Sequence, residues 1–266
     1  PPAAPYKGCS NPTPEVLPMR KSLAAAVLAT SAVVGSTFAA VVPSSAQAAP
    51  SQVYVVHGLP LDNAGTLVDV YAGAAGDAVD KAGLVTDDFK FKQVAGPLAL
   101  APADYTVYVA KPTASDDGKL AADEVIFSKT LTVPSGLNLS AVASLDAAGK
   151  PTINVFANDL SGAKGGGRLS IRHAAAAPAV NVDLGYLPFS RMFSFFVRSY
   201  GPAENGQQAD VTTAAGKYDI VVRVASNGAR AAAVPRFPVT AGKLTAVYAV
   251  GAPGSTFGFV VQQIAL

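Results

Sequence analysis

Apolar and polar residues alternate along many short segments of this chain, and Gly, Pro, Asn and Asp separate the segments. In "YTVYVA", the residues Tyr105, Val107 and Val109 share one face of an extended backbone. In "KYDIVVRV", Tyr218 and Ile220 share one face in the same way. Period-two alternation bounded by turn residues is typical of half-buried strands. The pattern therefore predicts an all-β chain with few long helices.

The pattern predicts seven strands in each half of the chain. In the first half they lie near 52–57, 66–71, 88–94, 104–110, 124–133, 137–145 and 151–157. In the second half they lie near 168–173, 179–184, 192–199, 217–225, 231–239, 243–250 and 256–264. Short strands at this spacing favour a sandwich or a barrel.

The two halves also contain similar segments in the same order. "VYVVHGLP…TLVDVYAG" resembles "LSIRHAAAAPAVNVDLG", and "LAPADYTVYVA" resembles "TAAGKYDIVVRVA". The matched residues are His57 with His173, Asp69 with Asn181, Tyr105 with Tyr218, and Gly136 with Gly242. A conserved order of similar segments indicates a duplicated domain. The predicted division is a first domain at 49–158, a Gly-rich linker at 159–167 that contains "SGAKGGG", and a second domain at 168–266.

A tyrosine begins a long strand in each half, directly after a Gly/Ala turn. These residues are Tyr105 in "PADY" and Tyr218 in "AGKY". In immunoglobulin-like sandwiches a tyrosine in this place bonds back to upstream backbone at a corner. We therefore expect two tandem immunoglobulin-like antiparallel β-sandwich domains.

The N-terminal segment has the features of an export signal. Met19-Arg20-Lys21 is a positively charged start, Leu23 to Val42 are apolar, and Ala46-Gln47-Ala48 fits a small-x-small cleavage site. We expect residues 19–48 to be a secretory signal peptide, with an uncleaved membrane anchor as the alternative. Residues 1–18 are Pro-rich and are expected to be an upstream extension outside the mature protein. The predicted location is extracellular or in the cell envelope.

Charge and cysteine content exclude several classes of function. Removing the leader takes three of the 20 basic and one of the 18 acidic residues, which leaves 17 of each. A net charge near zero gives no general attraction to nucleic acid or to an anionic membrane. The one cysteine, Cys9, lies in the upstream extension, so the mature chain is expected to have no disulfide and to depend on its core.

The repeated segments resemble those of secreted bacterial proteins that carry domain of unknown function 4397. A repeat of that family begins with a Val-x-x-His-Ala-Ser-Pro-Asp-Ala-Pro-Ala-Val-Asp-Val-Tyr-like segment and continues with a Pro-Ala-Gly-x-Tyr-x-Val-like one. Here "VVHGLPLDNAGTLVDVYAG" and "IRHAAAAPAVNVDLG" resemble the first, and "APADYTVYV" and "AAGKYDIVV" resemble the second. The resemblance implies an extracellular or envelope-associated β-sandwich and no assigned chemistry. Asn181 replaces the carboxylate of Asp69, so a role that needs a carboxylate is in doubt in the second copy.

Catalytic chemistry has little support in the sequence. A hydrolase needs a nucleophile with a base in reach, and Asp69 would orient His57 as that base. The chain has no Gly-x-Ser-x-Gly segment, and each copy contains one histidine without a serine at a matched position. We therefore predict no catalytic residue, and expect His57 and His173 to hold loops at strand ends. A hydrolase with a site near His57 and Asp69 is the alternative.

Metal and cofactor sites are not predicted either. Two histidines in separate domains and no thiols in the mature chain are too few ligands for structural zinc. The acidic loop 116–124 offers Asp116, Asp117, Asp123 and Glu124, which are oxygen ligands of the type that Ca²⁺ takes. It lacks the alternating spacing of an EF-hand, so a solvated loop is expected there and at Asp87-Asp88, with calcium left open.

One aromatic segment is a candidate binding surface. In "FSRMFSFFVRSY", alternation places Met192, Phe196 and Arg198 on one face, and Phe193 and Phe195 on the other. Exposed aromatic rows stack on sugars or bases. The face with Phe193 and Phe195 is expected to be core and the other at most half exposed, so core packing of this segment is the favoured interpretation and binding the alternative. We expect a non-enzymatic secreted module that binds an extracellular polymer, glycan or protein, without nucleic acid, cofactor or a membrane span in the mature chain. A purely structural matrix component is a further alternative.

Overall fold

The computed structural model describes residues 48–61, 67–112, 119–186, 195–254 and 256–266. Sixteen strands are found in these ranges, two more than the fourteen that the alternating pattern predicts. The first eight are β1 (Ser51–His57), β2 (Leu67–Ala74), β3 (Gly83–Lys90), β4 (Val94–Leu100), β5 (Ala103–Ala110), β6 (Val125–Val133), β7 (Asn138–Leu145) and β8 (Pro151–Ala157). The second eight are β9 (Gly167–Ala175), β10 (Val180–Tyr186), β11 (Phe195–Ala203), β12 (Gln208–Thr213), β13 (Gly216–Val224), β14 (Arg230–Val239), β15 (Lys243–Gly251) and β16 (Gly258–Ala265). A short 3₁₀ turn lies at Val79–Lys81.

The strands form four four-stranded sheets in two similar pairs. Sheet A has the order β4-β1-β7-β8 and sheet B the order β3-β2-β5-β6, and together they make the first sandwich. Sheet C has the order β12-β9-β15-β16 and sheet D the order β11-β10-β13-β14, and they make the second. Each strand of the second sandwich takes the place of the strand eight positions earlier. The predicted all-β fold with two sandwich-like units is confirmed.

The structure differs from the predicted strands in two ways. One pair in each sandwich, β1 with β7 and β9 with β15, is parallel, whereas antiparallel pairing was expected throughout. Each sandwich has eight strands rather than seven, because β4 and β12 were not recognised as separate strands. The expected strand at 88–94 spans the turn between β3 and β4. The segment "VAGPLAL" of β4 contains Gly and Pro, which read as turn residues.

Alternation along the strands fills the interior of each sandwich. The first contains buried apolar residues from both of its sheets, including Val53, Val55, Val70, Val109 and Ala141. The second contains the corresponding set of Leu169, Val182, Leu184, Ile220, Val222 and Val247. Burying each such side chain stabilises a fold by about 1.5–3 kcal/mol before the entropy of ordering the chain is subtracted. These interiors hold the two sheets of each sandwich together in the absence of disulfides.

Both predicted tyrosine corners are present. The Tyr105 hydroxyl donates to the carbonyl of Ala101 at 3.1 Å, and the Tyr218 hydroxyl donates to that of Ala214 at 2.9 Å. The residue four positions upstream accepts the bond in each case. The same local geometry therefore occurs at the matched tyrosine of each sandwich.

The backbone conformation explains why a glycine stands at the matched positions Gly136 and Gly242. Gly136 and Gly242 precede β7 and β15 with φ of 68° and 67°, in the left-handed region that side chains with a Cβ rarely occupy. The Gly136 amide donates to the Ala49 carbonyl and the Gly242 amide to the Gly166 carbonyl, each at 2.9 Å. This glycine therefore closes each copy onto its own first strand.

Sheets A and C pack face to face and join the two sandwiches. One buried apolar cluster contains Val56 and Val142 from sheet A together with Tyr248, Val250 and Val260 from sheet C. Gly58 lies against Val250, since an added Cβ would be 2.6 Å from a Val250 methyl. Gln47–Leu266 form one compact unit, and within it the sheets are layered in the order B, A, C, D.

The segment between the sandwiches is tied to the strand that follows it. Arg168 forms an ion pair with Asp159, and its guanidinium also donates to the Ser161 hydroxyl at 2.7 Å. Strand β9 begins at Gly167, the last residue of the predicted linker. Residues 1–18 and 19–47, which carry the predicted extension and most of the predicted signal peptide, lie outside the described residues. No helix in the described part of the chain has the length and apolar character needed to cross a membrane.

Candidate functional site

The two histidines occupy equivalent places and are both buried. His57 ends β1 and is fully buried, and His173 lies in β9 with 4% of its surface exposed. The His57 Nδ1 accepts a bond from the Leu59 amide at 3.3 Å, and the His173 Nδ1 accepts one from the Ala175 amide at 3.4 Å. In each copy the ring therefore accepts a hydrogen bond from the backbone two residues further along.

His173 is held in its neutral form. Its Nε2 lies 3.0 Å from the Pro178 carbonyl oxygen, which only accepts, so Nε2 carries the proton and Nδ1 is the acceptor. Burial lowers the pKa of His173, because a charged imidazole loses its hydration there. A second proton on Nδ1 would also break the bond from Ala175. This side chain fastens the β9–β10 loop to the sheet and is poorly suited to exchange protons with a substrate.

A glutamine that the sequence analysis missed completes each histidine turn. The His57 amide donates to the Gln93 carbonyl and the His173 amide to the Gln207 carbonyl, both at 3.0 Å. The Gln93 side-chain oxygen accepts from the Lys90 amide at 2.9 Å, and that of Gln207 accepts from the Glu204 amide at 2.8 Å. The shared signal was a glutamine just before the fourth strand of each copy, in "KFKQ" and "AENGQ".

Asp69 lies beside a β-bulge, and the structure assigns it a local contact with that bulge. Its Oδ1 accepts a bond from the Asp88 amide at 2.9 Å, where the β2–β3 register shifts. Asn181 faces Gly201 at a register shift between β10 and β11, where an added Cβ would lie 2.7 Å from the Asn181 Oδ1. Both residues of this matched position therefore lie beside a register shift between the second and third strands of their sandwich.

The alternative catalytic pair is placed on different sheets. His57 lies on sheet A and packs against Phe89 and Phe91, with ring centroids 5.7 Å and 6.0 Å away. Asp69 lies on β2 of sheet B, next to Asp88. Both side chains are fully buried. A substrate in solvent therefore has no direct access to either group.

Three acidic residues form a cluster in the described part of the chain. Asp69, Asp87 and Asp88 each bring a carboxylate oxygen within 4.8 Å of the others, and oxygen ligands of this kind suit Ca²⁺. Asp69 already uses one oxygen on the Asp88 amide. In the acidic loop 116–124, which was expected to be solvated, Asp116 and Asp117 lie outside the described residues. A carboxylate oxygen of Glu124 accepts from the Ala121 amide at 3.0 Å, a turn-closing contact.

The largest fully buried side chain is a residue that the sequence analysis did not select. Arg172 lies on β9 between the two sandwiches. Its Nη1 donates to the Tyr248 hydroxyl at 2.6 Å, and its Nη2 donates to the Asn158 side-chain oxygen at 2.6 Å and to the Ala157 carbonyl at 3.1 Å. Nε donates to the Ser170 hydroxyl at 3.0 Å. The guanidinium thus joins strand β9 of the second sandwich to the end of β8 in the first.

Aromatic rings and amides surround this arginine. Its guanidinium carbon lies 5.3 Å from the Phe156 ring centroid and 5.0 Å from that of Tyr248. The Tyr248 hydroxyl donates to the Gln262 side-chain oxygen at 2.6 Å, and the Ser140 hydroxyl donates to the same oxygen at 3.3 Å. Burial lowers the pKa of Arg172 and raises that of Tyr248, since each charged form is poorly hydrated there. The interface is therefore a polar network set inside an apolar layer.

The predicted binding surface lies on β11, an edge strand of sheet D. The backbone of Phe196 pairs with Gly185 and that of Arg198 with Leu184, and a register shift separates the two pairs. Met192 lies outside the described residues. Beside these positions, Asp183 accepts bonds from the Ser199 hydroxyl at 2.8 Å and from Arg223 Nε at 2.9 Å, so sheet D carries a charged pair next to β11.

Comparison with known families gives one match. Residues 51–183 match the family described as "Domain of unknown function (DUF4397)". The match begins with β1, spans the first sandwich and ends inside β10 of the second. No curated protein sequence matches this chain.

Comparison with solved structures gives distant likenesses. The fimbrial anchor protein Mfa2 from Porphyromonas gingivalis is 8% identical, with 82% of this chain and 98% of that chain covered and a TM-score of 0.25. The module CBMbc (family CBM26) from Eubacterium rectale Amy13K, solved in complex with maltoheptaose, is 9% identical, with 81% and 98% covered and a TM-score of 0.24. Scores this low leave the function of this chain open.

Proposed function

This chain belongs to the DUF4397 family, and from that membership we propose that it is a secreted, non-enzymatic β-sandwich protein of the cell envelope or its surroundings. Its ligand is an extracellular polymer, a glycan or a protein. The second sandwich acts as a second repeat of the same family, with the same strand order and the same histidine and tyrosine contacts.

The burial of both histidines is the observation that carries the proposal. An acid–base catalyst has to reach the substrate to within hydrogen-bond distance, directly or through one water. His57 and His173 are the only imidazoles in the chain, and both have a hydrogen bond to backbone inside a closed turn. This arrangement favours a binding protein over the alternative hydrolase near His57 and Asp69.

The joining of the two sandwiches supports a role in display. Sheets A and C bury their outer faces against each other, which leaves the outer faces of sheets B and D on opposite sides of the molecule. Two binding modules held in one body gain avidity when a polymer offers repeated sites. We assign the ligand surface to the β11 edge of sheet D, at Phe196 and Arg198.

Co-sedimentation of the purified protein with bacterial cell walls and with insoluble polysaccharides tests this proposal. We expect saturable pelleting with one matrix that the soluble form of the same polymer competes away. Phe196→Ala and Arg198→Ala are expected to weaken it about tenfold, since one aromatic stack is worth about 1–3 kcal/mol. Leu137→Ala and Lys150→Ala remove an exposed apolar side chain and an exposed charge from the first sandwich, and serve as matched controls.

Two outcomes oppose the proposal. Release of soluble fragments from the matrix by wild-type protein, with loss of release in His57→Gln, would establish the hydrolase instead. Absence of pelleting with every matrix, together with concentration-dependent self-association, would point to a structural matrix component. Pelleting that survives both β11 variants would keep the binding function but move its surface away from β11.

A further inference from the structure

The interior of the first sandwich contains an apolar cavity that is larger than the one in the second sandwich. The cavity between sheets A and B measures about 60 Å³, and that between sheets C and D about 30 Å³. Its lining comes from the inward faces of both sheets, among them Val53, Ala72, Val107, Val133 and Ala141. Every lining residue is apolar except for the hydroxyl of Tyr105, which is bonded to Ala101.

The cavity follows from a systematic difference between the two copies. Strand pairing aligns each lining position with its counterpart in the second sandwich, with His57 matched to His173 and Tyr105 to Tyr218. At seven of these positions the first sandwich has the smaller side chain. The pairs are Val53/Leu169, Val55/Ile171, Ala72/Leu184, Val107/Ile220, Leu131/Phe237, Ala141/Val247 and Ile153/Phe259.

The exceptions lie at one edge. Leu98 and Leu100 are larger than their counterparts Val211 and Thr213, and both are on the edge strand β4. Five of the seven smaller residues lie on the central strands β1, β2, β5 and β7, and the other two, Leu131 and Ile153, lie on the edge strands β6 and β8. Protein interiors are close-packed, so a central void lined by consistently smaller residues is a built feature of this copy.

The two edges of the sandwich differ in how they are bridged. Partly buried lining residues lie at both edges, with Val85, Leu98 and Leu100 at the β3–β4 edge and Leu131 at the β6–β8 edge. At the β6–β8 edge, Lys129 Nζ on β6 donates to the Thr152 hydroxyl at 3.1 Å and to the Ile153 carbonyl at 2.8 Å on β8. This bridge assigns the entrance to the β3–β4 edge.

We propose that the first sandwich binds the end of an alkyl chain between sheets A and B. An apolar cavity stays dry and gains favourable contacts when a hydrocarbon group fills it. The volume suits a few carbons at the chain end, and the rest of the chain leaves past Leu98 and Leu100. A polar head group then stays in solvent at the β3–β4 edge. The proposal does not depend on what binds at sheet D.

Methyl NMR of the intact protein with sodium octanoate tests this assignment. We expect saturable shifts of the Val53, Val107 and Val133 methyl signals, and contacts between these methyls and the terminal methyl of octanoate in a nuclear Overhauser experiment. Sodium acetate carries the same carboxylate without the chain and is expected to give no such shifts. Ala72→Leu and, separately, Ala141→Val fill the cavity and are expected to weaken octanoate binding at least tenfold.

Ala148→Leu adds the same three carbons as Ala72→Leu at an exposed turn and is the matched control, with unchanged binding expected. The proposal is overturned if wild-type protein shows no octanoate shifts in these methyls, or if acetate produces the same shifts. It is also overturned if binding survives in both filling variants. If Ala72→Leu fails to fold, Ala141→Val and the Overhauser contacts in wild-type protein still test whether octanoate binds in the cavity. Loss of pelleting on polymers has no bearing on these results.

Discussion

Arg172 donates a 2.6 Å hydrogen bond to the Tyr248 hydroxyl in the buried layer between the two sandwiches. In the first sandwich, Val56 occupies the place of Arg172 and Val142 the place of Tyr248. Val56 pairs with Val142 as Arg172 pairs with Tyr248. These two positions are therefore apolar in one copy and carry an arginine–tyrosine pair in the other. Since the two faces meet each other, this difference makes the contact specific for one copy against the other.

Removing the arginine should weaken the whole protein. In Arg172→Ala the side chains around Asn158 and Tyr248 lose a shared donor, and a cavity remains at the centre of the interface. We expect a loss of about 3–5 kcal/mol in the free energy of unfolding, measured by urea denaturation. Arg230→Ala, at an exposed position, should change it by less than about 0.5 kcal/mol. An effect of Arg172→Ala as small as that of Arg230→Ala would contradict this role.

The two tyrosine corners should differ in strength. Tyr218 has 2% of its surface exposed, and its hydroxyl lies 2.9 Å from the Ala214 carbonyl and 2.6 Å from the Thr213 hydroxyl. Tyr105 is less buried, with its one corner bond at 3.1 Å. We expect Tyr218→Phe to cost about 1–2 kcal/mol of unfolding free energy and Tyr105→Phe about 0.5 kcal/mol. Equal losses in urea denaturation would show that burial does not set the strength of the corner.

Alternation and repetition made much of this fold predictable. The hydrophobic period gave most of the strands, and the matched tyrosines gave both corners before any contact was known. The parallel pairs β1–β7 and β9–β15 were not predicted, because alternation along a strand says nothing about the direction of its neighbour. Strand β4 was missed because its Gly and Pro read as turn residues. Strand β12 was missed because "QADVTT" contains one large apolar residue, Val211, and so has no apolar alternation.

The contacts at the interface between the sandwiches could not be predicted from the sequence. Arg172 stands in "LSIRHAA", where a charge inside an alternating strand normally reads as a solvent-facing position. It is buried because a second sheet covers that face, and such a long-range contact leaves no local periodic signal. His57 ends β1 as predicted, whereas β9 continues past His173 to Ala175. Gln93 and Gln207 were not selected, since glutamine is common in surface turns.

Acid should destabilise the protein through His173. Burial lowers its pKa in the folded state, so below about pH 6.5 the unfolded chain takes up a proton that the folded protein resists. The stabilising contribution is fully present above about pH 6.5 and is lost as the pH falls toward the folded-state pKa. The slope from this group is at most about 1.4 kcal/mol per pH unit.

Urea denaturation of wild-type protein and His173→Gln between pH 7.5 and 5 measures this contribution. The difference in unfolding free energy between the two proteins should shrink as the pH falls, because glutamine does not titrate. A difference that stays constant over this range would mean that the folded protein binds the proton as readily as the unfolded chain does.

Close packing at Gly58 gives a test of the contact between the sandwiches. An added Cβ would lie 2.6 Å from a Val250 methyl and 3.2 Å from the Ala143 carbonyl. Gly58→Ala should therefore cost about 1–3 kcal/mol of unfolding free energy through overpacking. Val250→Ala in the same chain should recover part of that loss, and a double-mutant cycle measures the coupling. A coupling of zero would mean that the two residues do not meet.

Differential scanning calorimetry of the intact protein is the most direct test that the two repeats form one body. Because sheets A and C share a buried polar network, wild-type protein should unfold in a single transition, with equal calorimetric and van 't Hoff enthalpies. Arg172→Ala should lower the midpoint or split the transition in two. Two well-separated transitions in wild-type protein, unchanged by Arg172→Ala, would show that the sandwiches unfold independently and would contradict the joined arrangement.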